Sequence, residues 1–128
     1  MTMILGIGFD LTSLPRIESM LRRYGTRFIE RILTEKERAA LPSTPAGASA
    51  YLAGRFAAKE AAVKALGTGF SLGIGMHDAE ILPLASGKPE LVFHRKAAER
   101  AALMGVRSIH VSISHERDTA GAIVILES

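Results

Sequence analysis

Glu60 and Lys64 are the first candidates for chemistry, because they lie one helical turn apart in an otherwise alanine-rich segment. At about 100° per residue, positions i and i+4 differ by about 40° around a helix, so both side chains share one face. A carboxylate beside an ammonium group suits the binding of a metal ion and a phosphate. The same spacing is also typical of solvated ion pairs on helices, and this simpler interpretation stays open.

Asp10 is a second candidate carboxylate, since it follows an apolar, glycine-containing segment in which a charge is unexpected. The pattern of residues 4–9 predicts a strand of about six residues that ends on this carboxylate. Glycine inside a strand often marks the close approach of another backbone or a ligand. Asp10 could instead stabilise the N-terminus of the helix that follows.

Asp10 and Glu60, with Lys64 beside one of them, would together suit Mg²⁺. This ion takes few oxygen ligands from a protein and the rest from water and substrate phosphates. Lys64 would then neutralise phosphate charge, and the glycines at 67 and 69 could let backbone N–H groups approach a phosphate. Periodicity alone does not show that Asp10 and Glu60 meet.

The elements that must position these groups alternate between helices and strands. Thr12–Ser13 offers an N-cap ahead of Pro15, and Gly25 ends the helix that follows. Thr34 and Glu37 match a capping box at the start of a short helix. The pattern further predicts a loop at 42–47, helices over about 49–66 and 94–104, and strands over 79–84, 90–93, 108–114 and 119–126.

These elements predict an α+β fold in which an antiparallel sheet packs against helices, because the last two strands are joined by a short polar turn. A length of 128 residues indicates a single domain spanning 1–128. The first helix has an apolar stripe and, next to it, a basic face with a methionine. This face, formed by Arg16, Met20 and Arg23, could be merely solvated or could contact an acidic amphipathic partner helix.

Several classes of protein are excluded by composition and motif. The chain has no cysteine, which fits a reducing compartment and so a cytoplasmic protein. No apolar run reaches the length of a membrane helix, and a net charge of +3 does not single out nucleic acid as a partner. The strand IHVSISHE carries Ser112 and Ser114 on its polar face, but no G-x-S-x-G motif is present, which argues against a serine hydrolase. No H-x-x-x-H or H-E-x-x-H spacing occurs, which argues against a zinc site.

Two segments, GIGFDLTSLPRI and GRFAAKEAAVKALGTG, resemble the two signatures of the 4′-phosphopantetheinyl transferase superfamily. With FIERILTEKE, the GKP turn and the closing VSISH, the whole chain is similar to the small bacterial family of holo-acyl-carrier-protein synthases. The resemblance implies transfer of 4′-phosphopantetheine from coenzyme A, as co-substrate, to a serine of apo-acyl carrier protein. Adenosine 3′,5′-bisphosphate is the other product, and the reaction supports fatty acid biosynthesis.

The resemblance also implies roles for residues of this chain. Asp10 and Glu60 would bind Mg²⁺, and Lys64 would lie by the phosphates. All three would be catalytic residues. Members of the family are homotrimers with active sites between protomers. Coenzyme A would be contacted by Arg55, Lys64, Gly67, Thr68, Gly69 and His115, and the acidic helix of the carrier protein by Arg16, Met20, Arg22 and Arg23.

Two questions stay open at the level of sequence. The serine proton needs an acceptor, for which Glu60 and a water bound to the cation are both candidates. A non-catalytic nucleotide-binding or trimeric interaction protein on the same fold is the alternative function. The presence of Asp10, Glu60 and Lys64 together favours the transferase, since a binding protein would not need all three.

Overall fold

The computed structural model describes residues 2–128. These residues form five α-helices, five strands and a short 3₁₀ helix. The strands are β1 (Ile4–Ser13), β2 (Ala79–Pro83), β3 (Pro89–Phe93), β4 (Ser108–Glu116) and β5 (Thr119–Glu127). The helices are α1 (Leu14–Tyr24), α2 (Thr26–Ile32), α3 (Glu35–Ala39), α4 (Pro45–Leu66), the 3₁₀ helix (Met76–Asp78) and α5 (Arg95–Met104).

The strands form two antiparallel sheets, one with the order β1-β5-β4 and one made of the β2-β3 pair. Helix α4 lies across the three-stranded sheet and packs against all of its strands. Most of α4 is buried, because apolar and small residues surround its axis on nearly every side. This arrangement confirms the predicted α+β fold with an antiparallel sheet packed against helices.

Gly6 and Gly8 let the backbone of α4 touch strand β1. A Cβ atom on Gly8 would overlap the carbonyl oxygen of Ala61, and one on Gly6 would overlap that of Ala65. The glycines therefore mark the close approach of another backbone, one of the two alternatives raised by the sequence. The contact also brings the next residue on this face of β1, Asp10, towards the C-terminal half of α4.

Strand β1 is longer than predicted, since it continues past Asp10 to Ser13. Asp10 pairs with Ala122 and Thr12 with Ala120 in the antiparallel register with β5. The prediction that the strand ends on Asp10 is therefore wrong. The backbone stays extended because β5 pairs with it as far as Thr119. This pairing partner lies more than a hundred residues away in the chain, so the local pattern of β1 does not reveal it.

Helix boundaries follow the capping residues. Ser13 accepts a hydrogen bond from the Arg16 N–H, and α1 ends at Gly25 as predicted. The capping box of Thr34 and Glu37 is also present at α3. Helix α2 was not predicted, and α4 begins at Pro45 rather than near residue 49, because the Thr44 hydroxyl caps it by accepting from the Gly47 N–H.

The two faces of the three-stranded sheet differ. One face packs on α4 through alternate residues such as Ala122 and Val124, which are buried. The other face carries Ile7, Phe9 and Leu11, which are exposed. Among residues 2–128, no helix combines the length and the apolar character needed to cross a bilayer.

Candidate functional site

Asp10 and Lys64 are in direct contact. Lys64 Nζ donates to Asp10 Oδ1 at 2.9 Å and to the Phe9 carbonyl oxygen at 3.2 Å. The Thr12 hydroxyl donates to the other carboxylate oxygen, Asp10 Oδ2, at 3.1 Å. The carboxylate is thus oriented by its own strand and by α4, while half of the Lys64 side chain stays accessible to solvent.

Glu60 lies one turn before Lys64 on α4 and lines the same cleft as Asp10. Burial raises the pKa of the Glu60 carboxyl, the negative charge of Asp10 raises it further, and the positive charges of Lys64 and Arg16 oppose the shift. The two carboxylates therefore face the same cleft, one from β1 and one from α4. The structure brings together the three groups that the sequence singled out.

The cleft that contains these carboxylates has a volume of about 850 Å³ and is bordered by β1, α1, α2 and α4. Asp10 and Glu60 contribute negative charge to the cleft, whereas Arg16, Arg27 and Arg31 contribute positive charge. Most of the remaining wall is apolar and includes Ile17, Met20, Tyr24, Phe28, Ile32, Phe56 and Met76. A phosphate-bearing ligand and an amphipathic acidic helix would both find complementary groups here.

The basic face predicted on α1 is only partly in the cleft. Arg16 and Met20 line it, whereas Arg22 and Arg23 are exposed outside its lining. The Arg23 guanidinium lies 5.4 Å from the centre of the Tyr24 ring instead. The two residues of the predicted face that line the cleft are therefore those nearest Asp10 in sequence.

Arg27 and Arg31 on α2 were not predicted as site residues, although both line the cleft. They are separated by four positions and so share one face of the helix. Phe28 and Ile32, one position after each, are buried against the rest of the protein. This pairing of arginines with apolar residues over 27–32 was the signal that could have revealed an amphipathic helix in this segment.

Arg55 lies away from the cleft within a single chain. It precedes Glu60 by five positions, or about 140° around α4, and its guanidinium stacks over the Tyr51 ring at 4.4 Å. The buried Nε of Arg55 has no hydrogen-bond partner within residues 2–128. Tyr51 donates its hydroxyl to the Glu37 carbonyl oxygen at 2.7 Å, which places this side of α4 against α3.

The glycine-containing segment after α4 uses its amides to end the helix. The Gly67 N–H donates to the Lys64 carbonyl oxygen at 3.0 Å, and the N–H groups of Thr68 and Gly69 donate to that of Val63 at 3.2 Å. These three amides therefore have partners within the chain, and their approach to a phosphate stays a prediction. Gly67 and Gly69 both have positive φ, the left-handed conformation that closes a helix.

His115 lies within β4, which continues to Glu116, rather than after the strand as predicted. Its Nε2–H donates to the Ala50 carbonyl oxygen at 2.9 Å, and its ring packs against Gly54. Ala50 and Glu60 are ten residues apart on α4, which corresponds to about 15 Å along the helix axis. One chain therefore does not bring His115 and the cleft carboxylates together.

A two-carboxylate cation site is consistent with these residues. Between residues 2 and 128, no cluster of three or more His, Cys, Asp or Glu side chains is arranged to hold a metal ion. Asp10 and Glu60 instead form a pair of hard oxygen donors whose mutual repulsion contributes to the raised pKa of Glu60. Such a pair fits Mg²⁺, which usually completes its coordination with water and substrate phosphates.

The family of the chain follows from its match to known proteins. The model of the 4′-phosphopantetheinyl transferase superfamily matches residues 6–123. The chain belongs to this superfamily. The matched region holds both signature segments, with Asp10, Glu60 and Lys64, so the resemblance seen in the sequence is confirmed.

Close relatives in the superfamily share one name. The holo-[acyl-carrier-protein] synthase of Solidesulfovibrio magneticus is 56% identical over 125 residues, which cover 98% of this chain and 99% of that protein. The crystal structure of the synthase from Neisseria meningitidis is 38% identical, with a TM-score of 0.88 over 98% of this chain and 100% of that one. The Bacillus anthracis synthase, solved in complex with CoA (3′,5′-ADP), is 41% identical, with a TM-score of 0.80 over 98% of both chains.

Proposed function

We propose that this superfamily member transfers the 4′-phosphopantetheine group of coenzyme A to a serine of an apo-acyl carrier protein in the cytoplasm. The products are the holo carrier protein, used in fatty acid biosynthesis, and adenosine 3′,5′-bisphosphate. The observation that carries the proposal is the cleft, in which Asp10 and Glu60 lie together with basic and apolar residues while Lys64 holds the Asp10 carboxylate. The names of the relatives and the coenzyme bound to the Bacillus anthracis protein support it.

The reaction is a displacement at phosphorus. The serine Oγ attacks the β-phosphorus of coenzyme A, the new Oγ–P bond forms, and the bond to the departing adenosine 3′,5′-bisphosphate breaks. Such a transfer depends mainly on positioning and on neutralising charge. Bound Mg²⁺, held by Asp10 and Glu60, would supply positive charge at the pyrophosphate, and the exposed Lys64 ammonium would add its own.

The proton of the attacking serine must leave as the bond forms. Glu60 lines the cleft together with Asp10, so its carboxylate and a water on the cation that the two residues would hold are both candidate acceptors.

We propose that the active protein is a homotrimer with sites between protomers. Two features support this. The exposed apolar residues Ile7, Phe9 and Leu11 form a face that self-association would bury. In addition, Arg55 and His115 lie away from the carboxylates within one chain, so a coenzyme A molecule contacted by both groups would have to bridge neighbouring chains.

The carrier protein is proposed to dock its acidic helix on the basic and apolar walls of the cleft, formed by Arg16 and Met20 of α1 together with Arg27 and Arg31 of α2. Arg16→Glu should therefore raise the KM for the carrier protein by about tenfold or more, because reversing an interface charge creates repulsion. The KM for coenzyme A should stay nearly unchanged. An unchanged KM for the carrier protein would remove α1 from the docking surface.

Intact-protein mass spectrometry tests the activity directly. The protein is mixed with apo-acyl carrier protein, coenzyme A and Mg²⁺, with EDTA and a carrier protein lacking its acceptor serine as controls. A phosphopantetheine mass gain that requires both metal and serine is expected. Absence of any gain across a panel of carrier proteins, from a protein that still binds coenzyme A, would indicate a binding protein instead.

A further inference from the structure

Lys59 and Glu37 form an ion pair from which solvent is excluded completely. Both side chains have 0% exposure, and Lys59 Nζ lies 2.8 Å from Glu37 Oε1. The ammonium group also donates to the carbonyl oxygens of Met76 at 2.9 Å and Ala79 at 2.6 Å. All three of its N–H donors are therefore used inside the protein, although Lys59 is the immediate neighbour of Glu60 in sequence.

The pair completes the hydrogen bonding of the edge of β2. One edge of this strand pairs with β3, while the Ala79 carbonyl and the Ile81 N–H belong to the other edge. Lys59 donates to that carbonyl, and Glu37 Oε2 accepts from the Ile81 N–H at 2.8 Å. The ion pair thus takes the place of a further strand, satisfying buried backbone groups that would otherwise be costly.

The pair is also connected to the cleft through the 3₁₀ helix Met76–Asp78. Met76, whose carbonyl accepts from Lys59, lines the cleft. The next residue, His77, donates its Nε2–H to the carbonyl oxygen of Glu30 on α2 at 2.7 Å. A continuous chain of hydrogen-bonded groups therefore runs from the buried pair through two successive residues to helix α2.

Helix α2 needs such support from outside. It has seven residues, far fewer than an isolated helix needs for stability in water, and no side chain caps its N-terminus. Its buried residues Phe28 and Ile32 pack against the core, whereas Arg27 and Arg31 are exposed at the cleft. The placement of these two arginines depends on how firmly α2 is held.

We infer that Glu37, Lys59 and His77 are positioning residues that hold α2, and with it Arg27 and Arg31, against the cleft. The inference rests on the proposed function in so far as this wall receives the carrier protein. Lys59 and Glu60, which are adjacent on α4, then have different roles. They point about 100° apart around α4, so Glu60 lines the cleft while Lys59 is buried and acts on α2 through Met76 and His77.

The first test is His77→Ala, which removes one exposed side chain and should leave the fold intact. Hydrogen exchange of the amides in 26–32 should accelerate, while exchange in the buried part of α4 stays unchanged. Carrier-protein KM should rise about fivefold, the effect of losing one net hydrogen bond, with kcat and the KM for coenzyme A nearly constant. His77→Gln, whose amide can still donate to the Glu30 carbonyl, should restore most of the affinity.

The second test removes the buried pair as a unit. Lys59→Met alone leaves the buried Glu37 carboxylate without a positive counter-charge and is expected to destabilise the protein strongly. Glu37→Gln combined with Lys59→Met removes both charges and keeps both volumes, so no buried charge is left unpaired, although the hydrogen bonds to the Met76 and Ala79 carbonyls are lost. Lys96→Met with Glu99→Gln is the matched control, because it makes the same change in an exposed pair on α5. Faster exchange in 26–32 and a raised carrier-protein KM are expected only for the buried double variant.

The results of these two tests distinguish a role of the three residues in positioning α2 from a contribution to overall stability alone. Exchange that accelerates equally in α2 and α4, or a lower melting temperature with no change in KM, would overturn the inference. Unchanged exchange in 26–32 for His77→Ala would overturn it as well. The exchange measurement needs no carrier protein, so a wild-type protein that fails to modify any carrier would refute the proposed function while the positioning of α2 is still decided.

Discussion

Asp10, Glu60 and Lys64 show how a small site tunes a carboxylate. The Asp10 carboxylate accepts hydrogen bonds from the Lys64 ammonium and the Thr12 hydroxyl, whereas burial and the negative charge of Asp10 raise the pKa of Glu60. In the folded protein the charged form of Glu60 is therefore less favourable than in the unfolded chain. Function and stability should make opposite demands on this residue.

Glu60→Gln should reduce turnover by about 10²-fold or more, because it removes a cation ligand and a proton acceptor together. The fold should persist, and the melting temperature at pH 7 should rise slightly, since the penalty for a charged Glu60 is removed. Mass spectrometric turnover and thermal denaturation measure the two effects. Glu99→Gln on the surface of α5 is the control, and near-normal turnover of Glu60→Gln would remove this residue from the site.

Glu80 supports a prediction about pH. Burial by itself raises the pKa of Glu80, but hydrogen bonds from Thr34 and His94 and the nearby positive charges outweigh it, so the pKa is lowered from 4.5. A carboxyl with a lowered folded-state pKa stabilises the protein above its unfolded pKa and loses this contribution as the pH falls through the folded value.

Glu80→Gln should therefore lower the free energy of unfolding by about 1–2 kcal/mol at pH 7. The difference should begin to shrink below pH 4.5, the ordinary value, and disappear below the lowered folded-state pKa. Urea denaturation at a series of pH values measures it. A difference that is constant between pH 7 and the acid range would show that the charge of Glu80 contributes nothing.

At the scale of elements, local capping signals were sufficient to predict α1 and α3. Ser13 and Gly25 bound the first, and the reciprocal bonds of Thr34 and Glu37 open the second. Helix α2 escaped prediction because Gly25 serves both as the end of α1 and as the start of α2, without a capping side chain. A glycine interpreted as the end of one helix does not indicate that another helix begins immediately after it.

The candidate site residues also differ in whether the sequence could predict them. The signature segments supplied Asp10, Glu60 and Lys64 by resemblance, and β1 against α4 brings them together. Arg27 and Arg31 could not be predicted as cleft residues, because their position depends on how α2 folds back beside α1. The partner of Lys59 was equally hidden, since Glu37 lies twenty-two positions away on another helix.

The packing of α4 on β1 leads to a prediction at this scale. Gly8→Ala should destabilise the protein by about 3 kcal/mol or more, because the added methyl group overlaps the Ala61 carbonyl oxygen and forces two backbones apart. Asp10 would move with the strand, so turnover should fall too. Chemical denaturation of Gly8→Ala and of Gly75→Ala compares their free energies of unfolding with that of the wild-type protein.

Gly75 is a suitable control because it has a negative φ and a Cβ there would meet only the Asp78 carboxylate, at 3.9 Å. Gly75→Ala should therefore be nearly neutral. Equal stability of the two variants would mean that β1 and α4 can separate without cost. In that case the close approach of the two backbones would not be what brings Asp10 to Lys64.

At the scale of the whole molecule, the two faces of the three-stranded sheet are covered unequally. Its inner face is covered by α4, and its outer face exposes Ile7 at 58%, Phe9 at 57% and Leu11 at 63%. Asp10 lies between two of these residues on the same strand, with its side chain on the opposite face. Burial of the outer face by neighbouring chains would therefore occur within one residue of the candidate cation site.

The wild-type protein should have the mass of a trimer in light scattering, and Phe9→Glu should shift it towards the monomer because the new carboxylate would be buried without a partner. Leu103→Glu is the matched control, since Leu103 is 84% exposed on α5, outside the sheet. It should stay trimeric and active. A monomeric wild-type protein, or a trimeric Phe9→Glu variant with full turnover, would contradict assembly through this face.

Mixing two inactive variants tests whether each site is shared. If Glu60 of one protomer and His115 of another act on the same coenzyme A, some sites in hybrid trimers of Glu60→Gln and His115→Ala receive two wild-type residues. Turnover should then reappear after the two proteins are exchanged under mild dissociating conditions, and it should be absent from either variant alone. Failure to recover turnover from hybrids confirmed by mass would place both residues in the site of a single chain, against the 15 Å separation along α4 expected from about 1.5 Å per residue.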